Sequence, residues 1–261
     1  ADADDVLAVT GPHLLAAKAR GVGLLCEATP IGVGRRADIV AKVARACGLP
    51  VALATGFYVD PWIPDEARAA SVDALAERLA AELDGGIEGT DVRAGFIKLG
   101  TSDGGMTACE EKLLRAACAA SRRTGALICS HTTSAEVAGR ALDILAEEGV
   151  AGSRFAWFHA SSAAGSPIFW RVAGRGAYLG VDYDRGATLP LLMRLADAGL
   201  LSRILLSMDS GWYNPRFPGG GDVRGYTAML DELFEKLPAA GIDARALRTI
   251  VHDNVFMAYA R

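Results

Sequence analysis

Lys98, His131, His159 and Asp209 fall at the ends of four apolar, strand-like runs, VRAGFIKLG, ALICSH, RFAWFH and RILLSMD. The chain has only four histidines in 261 residues, and two of them stand where strands stop. Neutral imidazoles and carboxylate oxygens are ordinary ligands for divalent cations of the zinc type. A lysine is not, because its ammonium has no lone pair; converted by CO2 to a carbamate, it becomes a bidentate, carboxylate-like bridge. Any one of the four could be a satisfied polar group at a strand terminus. Four at the ends of separate strands point to one shared mouth, because the C-terminal ends of barrel strands are where such enzymes gather their catalytic groups. The chemistry implied is that of a metal-centred hydrolase.

The elements that would position these residues alternate along the whole chain. Residues 4–20 have helical spacing, with acidic residues in the first turn and Gly21 as a stop. Apolar runs predict strands at 22–28, 51–56, 93–99, 126–131, 155–159, 177–182 and 203–208. Helices are predicted at 36–47, 66–83, 109–123, 134–149, 164–174, 188–198 and 223–237, with an amphipathic helix over 243–261. Strands apolar on both faces and separated by helices make a parallel sheet in an α/β protein. Seven strands follow an opening helix, so a (β/α)8 TIM barrel whose first strand is missing from the chain fits better than a seven-stranded open sheet. No composition break divides residues 1–261, which read as one domain.

Composition narrows the function further. At 51% hydrophobic and 22% charged residues, the chain can bury a sizeable core and is not a disordered segment. A net charge of −4 with interspersed signs, and no basic stripe, gives no reason to expect nucleic acid as a partner. Five cysteines without a CxxC pair indicate neither a disulfide framework nor a zinc knot, but small buried residues in a reducing compartment. There is no run apolar enough to span a membrane, and the N-terminus is acidic where a signal peptide would be basic. The expected location is cytoplasmic, with no membrane partner.

Other motifs compete for a role. Gly32-Val33-Gly34-Arg35-Arg36-Ala37 matches G-x-G-x-x-G/A between a strand and a helix, the shape of a dinucleotide loop. The following strand VALATG offers no acid for a ribose, so a tight βα turn is the better reading. Tyr183-Asp184-Arg185 follows the strand YLGVD, and Trp212, Tyr213 and Arg216 follow Asp209. Aromatics there would wall a pocket and arginines hold a carboxylate or phosphate, or the loops simply pack on each other. His13 and His252 lie away from strand ends and read as structural, with Asp253 and Asn254 as candidate helix caps. No G-x-S-x-G occurs, and the serines beside His131 and His159 form no base–orienter series, so a serine triad is excluded.

Taken together, ATGFY (54–58), GIEGTDVRAGFIKLG (86–100), SHT (130–132), FHAS (158–161), GVDYDRG (180–186) and LLSMDSGW (205–212) resemble the phosphotriesterase-like branch of the amidohydrolase superfamily. The resemblance implies a (β/α)8 barrel with two divalent metal ions, zinc foremost, with manganese, iron or cobalt also accepted. Lys98 would be N6-carboxylated and bridge both metals, and His131 and His159 would bind the more exposed one. Asp209 would bind the more buried one and take the proton from the attacking hydroxide. That family carries an H-x-H pair on its first strand, which this chain lacks, and the expectation is an upstream segment that supplies it. Tyr58 and Tyr183-Asp184-Arg185-Gly186 resemble features of the lactonase members, so Tyr58, Tyr183, Arg185 and Trp212 are the expected substrate-binding residues.

The expected partner is therefore a small ester or lactone, in a chain that could form a homodimer. The alternatives are a phosphotriesterase acting on organophosphates, a non-catalytic barrel with an incomplete metal site, and, more distantly, a nicotinamide-dependent oxidoreductase.

Overall fold

A computed structural model describes residues 1–261. Seven strands, β1 (Leu25–Glu27), β2 (Val51–Thr55), β3 (Phe96–Gly100), β4 (Ile128–His131), β5 (Phe155–Phe158), β6 (Tyr178–Asp182) and β7 (Ile204–Ser207), form one sheet in chain order. Every pairing is parallel. The helices are α1 (Ala3–Ala19), α2 (Ala37–Cys47), α3 (Asp65–Ala69), α4 (Val72–Asp84), α5 (Ala108–Thr124), α6 (Ala135–Glu147), α7 (Pro167–Ala173), α8 (Thr188–Asp197), α9 (Ala228–Glu232), α10 (Ala244–Arg248) and α11 (Asn254–Tyr259). No helix is long and apolar enough to cross a membrane, and all five cysteines are free.

The sheet curls as a barrel wall does. In a flat sheet, six spacings of about 4.8 Å would hold β1 and β7 roughly 29 Å apart. Here Cys26 of β1, Phe96, Cys129, Ala156, Tyr178 and Leu205 of β7 belong to one apolar cluster, closed by Tyr259 of α11. Only a sheet bent round on itself brings those side chains together. Period-two alternation fixes what lies one step further up the same face. Lys98 follows Phe96, and His131 follows Cys129. The register pairs Lys98 with Cys129 and Gly100 with His131, so His131 stands one step nearer the mouth than Lys98 on the same face.

Local signals account for the helix boundaries. Thr107 and Glu110 form a reciprocal capping box at the start of α5, and Gly125 ends it in the left-handed region at φ 74°. The single helix predicted over 66–83 is two, because Ser71 caps a new start by accepting the Ala74 N–H at 3.2 Å. The helix predicted over 223–237 shrinks to the five residues of α9, and the one over 164–174 to α7 behind a short 3-10 turn, Ala160–Ala163. The C-terminal helix is present but contains a π-helical stretch, Thr249–Asp253. Asn254 is no cap: its buried amide donates to the carbonyls of Leu201 (2.7 Å) and Ile204 (2.8 Å), tying α11 to the entrance of β7.

The glycine-rich loop is a structural turn, which removes the dinucleotide reading. Arg35, with 2% of its side chain exposed, forks onto both oxygens of Glu82 at 2.7 and 2.9 Å, and donates to the Ala54 carbonyl at 3.1 Å and to Glu88 at 3.0 Å. Glu88 reaches on to the Ala37 N–H at the start of α2 (3.3 Å), so a protein carboxylate occupies the place a phosphate would need. Thr55 of β2 donates to the same Glu82 at 2.6 Å. Removing one partner of a buried ion pair leaves the other uncompensated. Arg35→Ala is therefore expected to lower the unfolding free energy by about 3–5 kcal/mol in urea titrations. A loss within measurement error would contradict the role given to this pair.

Candidate active site

Three devices converge the side chains on the mouth. Gly56 lets β2 approach β3 so closely that a Cβ there would sit 2.1 Å from the Lys98 carbonyl oxygen, and it adopts φ 120°. His159 lies one residue past β5, where alternation would aim it away from the interior. Its left-handed backbone, φ 66°, turns it back so that its ring centroid is 4.5 Å from that of His131. Asp209, two residues past β7, also has a positive φ, 41°. Positive φ at non-glycine residues is strained and clusters where function requires it.

Lys98 is not at a strand end as the sequence implied, but inside β3. Its side chain is buried, with Nζ donating to the Leu99 carbonyl at 3.0 Å and lying 5.4 and 5.5 Å from the ring centroids of Tyr58 and Phe158. Burial disfavours the ammonium and pulls its pKa down to about 8, against the smaller opposing pull of Cys129, Asp209 and Asp182. A lysine that is partly neutral near physiological pH is a nucleophile for CO2. His131 is held by its backbone carbonyl, which accepts from the Thr101 N–H (2.9 Å) and hydroxyl (3.1 Å). Burial, then the nearby His159 and Lys98 charges, push its pKa down to about 4, so the ring is neutral and offers a lone pair. The Tyr58 hydroxyl stands 3.5 Å from its Nδ1, with the two rings edge to face at 5.4 Å.

Asp182, at the end of β6, escaped the sequence reading. Its Oδ2 accepts from His159 Nδ1 at 2.8 Å, which fixes the tautomer and leaves Nε2 free toward His131. The signal was present, an acid ending the apolar run YLGVD, and is the same one that identified Asp209. Asp103 was also missed; it clamps Thr132 (2.8 Å) and the Thr133 N–H (2.6 Å) just after His131. Asp209 sits at the rim, and partial burial raises its carboxyl pKa against the pull of His159.

The other expected pocket residues diverge. Tyr183 and Arg185 turn toward α9, where the hydroxyl donates to Glu232 at 2.8 Å and the guanidinium forks onto both its oxygens at 2.6 and 2.7 Å. Both side chains are committed to Glu232, and Tyr183 also lines the cleft between the turn after His159 and α8. Trp212 is exposed, with Arg224 stacked 5.1 Å from its ring. His13 meets Tyr226 edge to face at 6.0 Å, and His252 pairs with Asp253, both away from the mouth.

As they stand, no three His, Cys, Asp or Glu side chains meet in ligand geometry. In type the donors suit a divalent cation: a neutral imidazole, a second imidazole with its tautomer fixed, and a carboxylate beside them. Lys98 adds to the set only if carboxylated, since its ammonium repels a cation.

Comparison with known proteins follows the same lines. The model of the phosphotriesterase family matches residues 1–257. The phosphotriesterase homology protein of Escherichia coli is 31% identical over 243 residues, 90% of this chain and 82% of that one. The crystal structure of that homology protein, complexed with phosphate in its active site, matches with a TM-score of 0.86 at 29% identity, covering 95% of this chain and 88% of that one. An aryldialkylphosphatase of Saccharolobus solfataricus is 26% identical, covering 90% and 79% of the two chains. The human N-acetyltaurine hydrolase is 28% identical, covering 93% and 74%.

The electrostatics of His131 can be read directly. A free imidazole titrates near 6.5 and His131 in the folded protein near 4, so the unfolded chain takes up a proton there that the folded chain refuses. Its contribution leaves stability unchanged above that window and lowers it as pH falls from about 6.5 to about 4. Imidazole NMR of the metal-free protein should place the His131 midpoint near 4; a midpoint near 6.5 would contradict the burial and charge crowding described.

Proposed function

The chain belongs to the phosphotriesterase family, and on that premise we propose that it is a metal-dependent hydrolase whose substrate is a lactone, opened at its carboxylic ester bond. The observation that carries the reading is the 4.5 Å approach of His131 and His159 above the buried Lys98, with one ring neutral and the other oriented by Asp182. His131, His159 and Asp209 would hold the metals, with Lys98 as a carboxylated bridge. When bound, two divalent cations supply a lowered pKa for water and polarise the substrate's carbonyl oxygen.

The residues of the chain do the rest. Lys98 is a CO2 acceptor because burial makes its amine available, and above a pH of about 8 the neutral form prevails. Asp182 keeps the His159 proton on Nδ1 and the lone pair on Nε2. Asp209, exposed at the rim, is suited to receive a proton, since desolvation by its surroundings raises its carboxyl pKa above the usual aspartate value. Tyr58 lines the His131 side of the mouth, its ring edge to face with the imidazole.

A second reading, hydrolysis of organophosphate triesters, is favoured by the likeness to the aryldialkylphosphatase, and the same residues would serve it. The likeness to an amide hydrolase adds N-acyl amines to what should be assayed. Kinetics of metal-loaded protein on a panel of lactones, an aryl phosphotriester and an N-acylated aminosulfonate separates these. Lactones are expected to give the highest kcat/KM, and Asp209→Asn to lower kcat by about 100- to 10,000-fold. Turnover of the phosphotriester or the amide but no lactone would sink the substrate choice.

Asp182→Asn is expected to preserve the fold while weakening metal binding about 10- to 100-fold, as loss of an orienting partner does. Calorimetric titration with zinc checks this, and an unchanged affinity would remove Asp182 from the site.

A further inference from the structure

A cleft of about 520 Å3 opens between the turn that follows His159 and the beginning of α8. Its volume lies within the range of small-molecule sites. Asp182 joins it to the candidate active site, because this residue both lines the cleft and holds His159 Nδ1. Ser161, Ser162 and Thr188 contribute hydroxyls to the walls, and Asp184 and Arg194 contribute charge.

The charges in this lining are committed within the protein, with one exception. Asp182 is taken by His159. Asp184 Oδ1 accepts the N–H groups of Gly186 (2.8 Å) and Ala187 (2.7 Å) at the start of α8. Arg194 makes no ion pair and no hydrogen bond; its guanidinium lies 4.7 Å from the centroid of the Trp170 ring. Two carboxylates share the lining, and it pairs with neither. Stacking on an indole fixes the plane of a guanidinium and leaves its N–H edges free, the arrangement in which arginine grips two oxygens of a carboxylate or sulfonate with parallel hydrogen bonds. Arg35, Arg115 and Arg185 show the contrast, since each already forks onto or bridges glutamates.

We propose that this cleft is the outer lobe of the substrate site and that Arg194 receives a carboxylate or sulfonate carried by the substrate. The preferred substrates are then short and anionic, with the reacting bond at the imidazoles and the charged end toward solvent. The word substrate rests on the hydrolase reading above; the anion site itself does not.

Two measurements test it, with Arg224 as comparator because it is the other arginine stacked on an indole, 5.1 Å from the Trp212 ring. Titration of propane-1-sulfonate into the protein, followed by NMR, is expected to show binding that Arg194→Gln weakens about tenfold, the scale of one lost charge-assisted contact. Arg194→Lys should retain part of it, and Arg224→Gln all of it. In parallel, the kcat/KM ratio for a carboxylate-bearing lactone over its methyl ester should favour the anion and fall by a similar factor in Arg194→Gln. Sulfonate that does not bind, binds equally to Arg194→Gln, or is lost in Arg224→Gln instead, overturns the inference. Sulfonate binding that depends on Arg194 in a protein that hydrolyses nothing on the panel supports the anion site and removes the hydrolase reading. Hydrolysis with no preference for the anion, unchanged in Arg194→Gln, removes the anion site and keeps the hydrolase.

Discussion

Water is scarce where Lys98, His131 and His159 meet, and they cannot all carry charge there. That constraint organises the rest of the site. Three groups that would be cationic or titrating near neutrality in solution are pressed together in a curled sheet. Burial pulls Lys98 down to about 8 and His131 to about 4. Lys98 is thereby partly neutral near physiological pH and His131 offers a lone pair, which is what accepting CO2 or binding a cation demands. The same crowding supplies a reason for the carboxylates around it: Asp182 on His159, Asp103 after His131, and Asp209 at the rim restore the balance that desolvation removes.

The scaffold is arranged to make that crowding possible. Gly56 permits the close approach of β2 to β3 that seats Lys98, and Tyr259 and Cys26 seal the floor below. The left-handed backbone of His159 re-aims a residue that simple alternation would misplace, while Asp209, also left-handed, already shares the interior face with Leu205. Such conformations persist only where surrounding structure over-determines them. For His159, Asp182 of β6 and the 3-10 turn that follows provide that restraint. Beneath the opposite wall, the Arg35–Glu82–Glu88 network locks a glycine loop that would otherwise be free to bind an anion.

Much of this was legible in the sequence, because the strands are short apolar runs separated by amphipathic helices and the parallel order follows from that alternation. His131, His159 and Asp209 were identified by position, since a polar residue ending an apolar run has few reasons to be there. What stayed hidden depends on partners distant along the chain. Arg35 in the glycine loop pairs with Glu82, and Tyr183 and Arg185 turn from the mouth toward Glu232, on a helix reduced to five residues. Neither pairing leaves a local trace in the sequence. Asp182 did leave one and was passed over, because its role is to orient a histidine and not to ligate. The break at Ser71 shows the limit of periodicity: the apolar pattern runs on across a residue whose hydroxyl starts a new helix.

Among these claims the most exposed is that a buried lysine is a metal-site residue and not a structural cation. Elemental analysis after zinc reconstitution in bicarbonate, on the protein and on Lys98→Ala, addresses it directly. Zinc retained through gel filtration by the protein and lost in Lys98→Ala is the expected result. No retained zinc in the protein, or equal zinc in both, would contradict the metal centre built on Lys98, His131, His159 and Asp209.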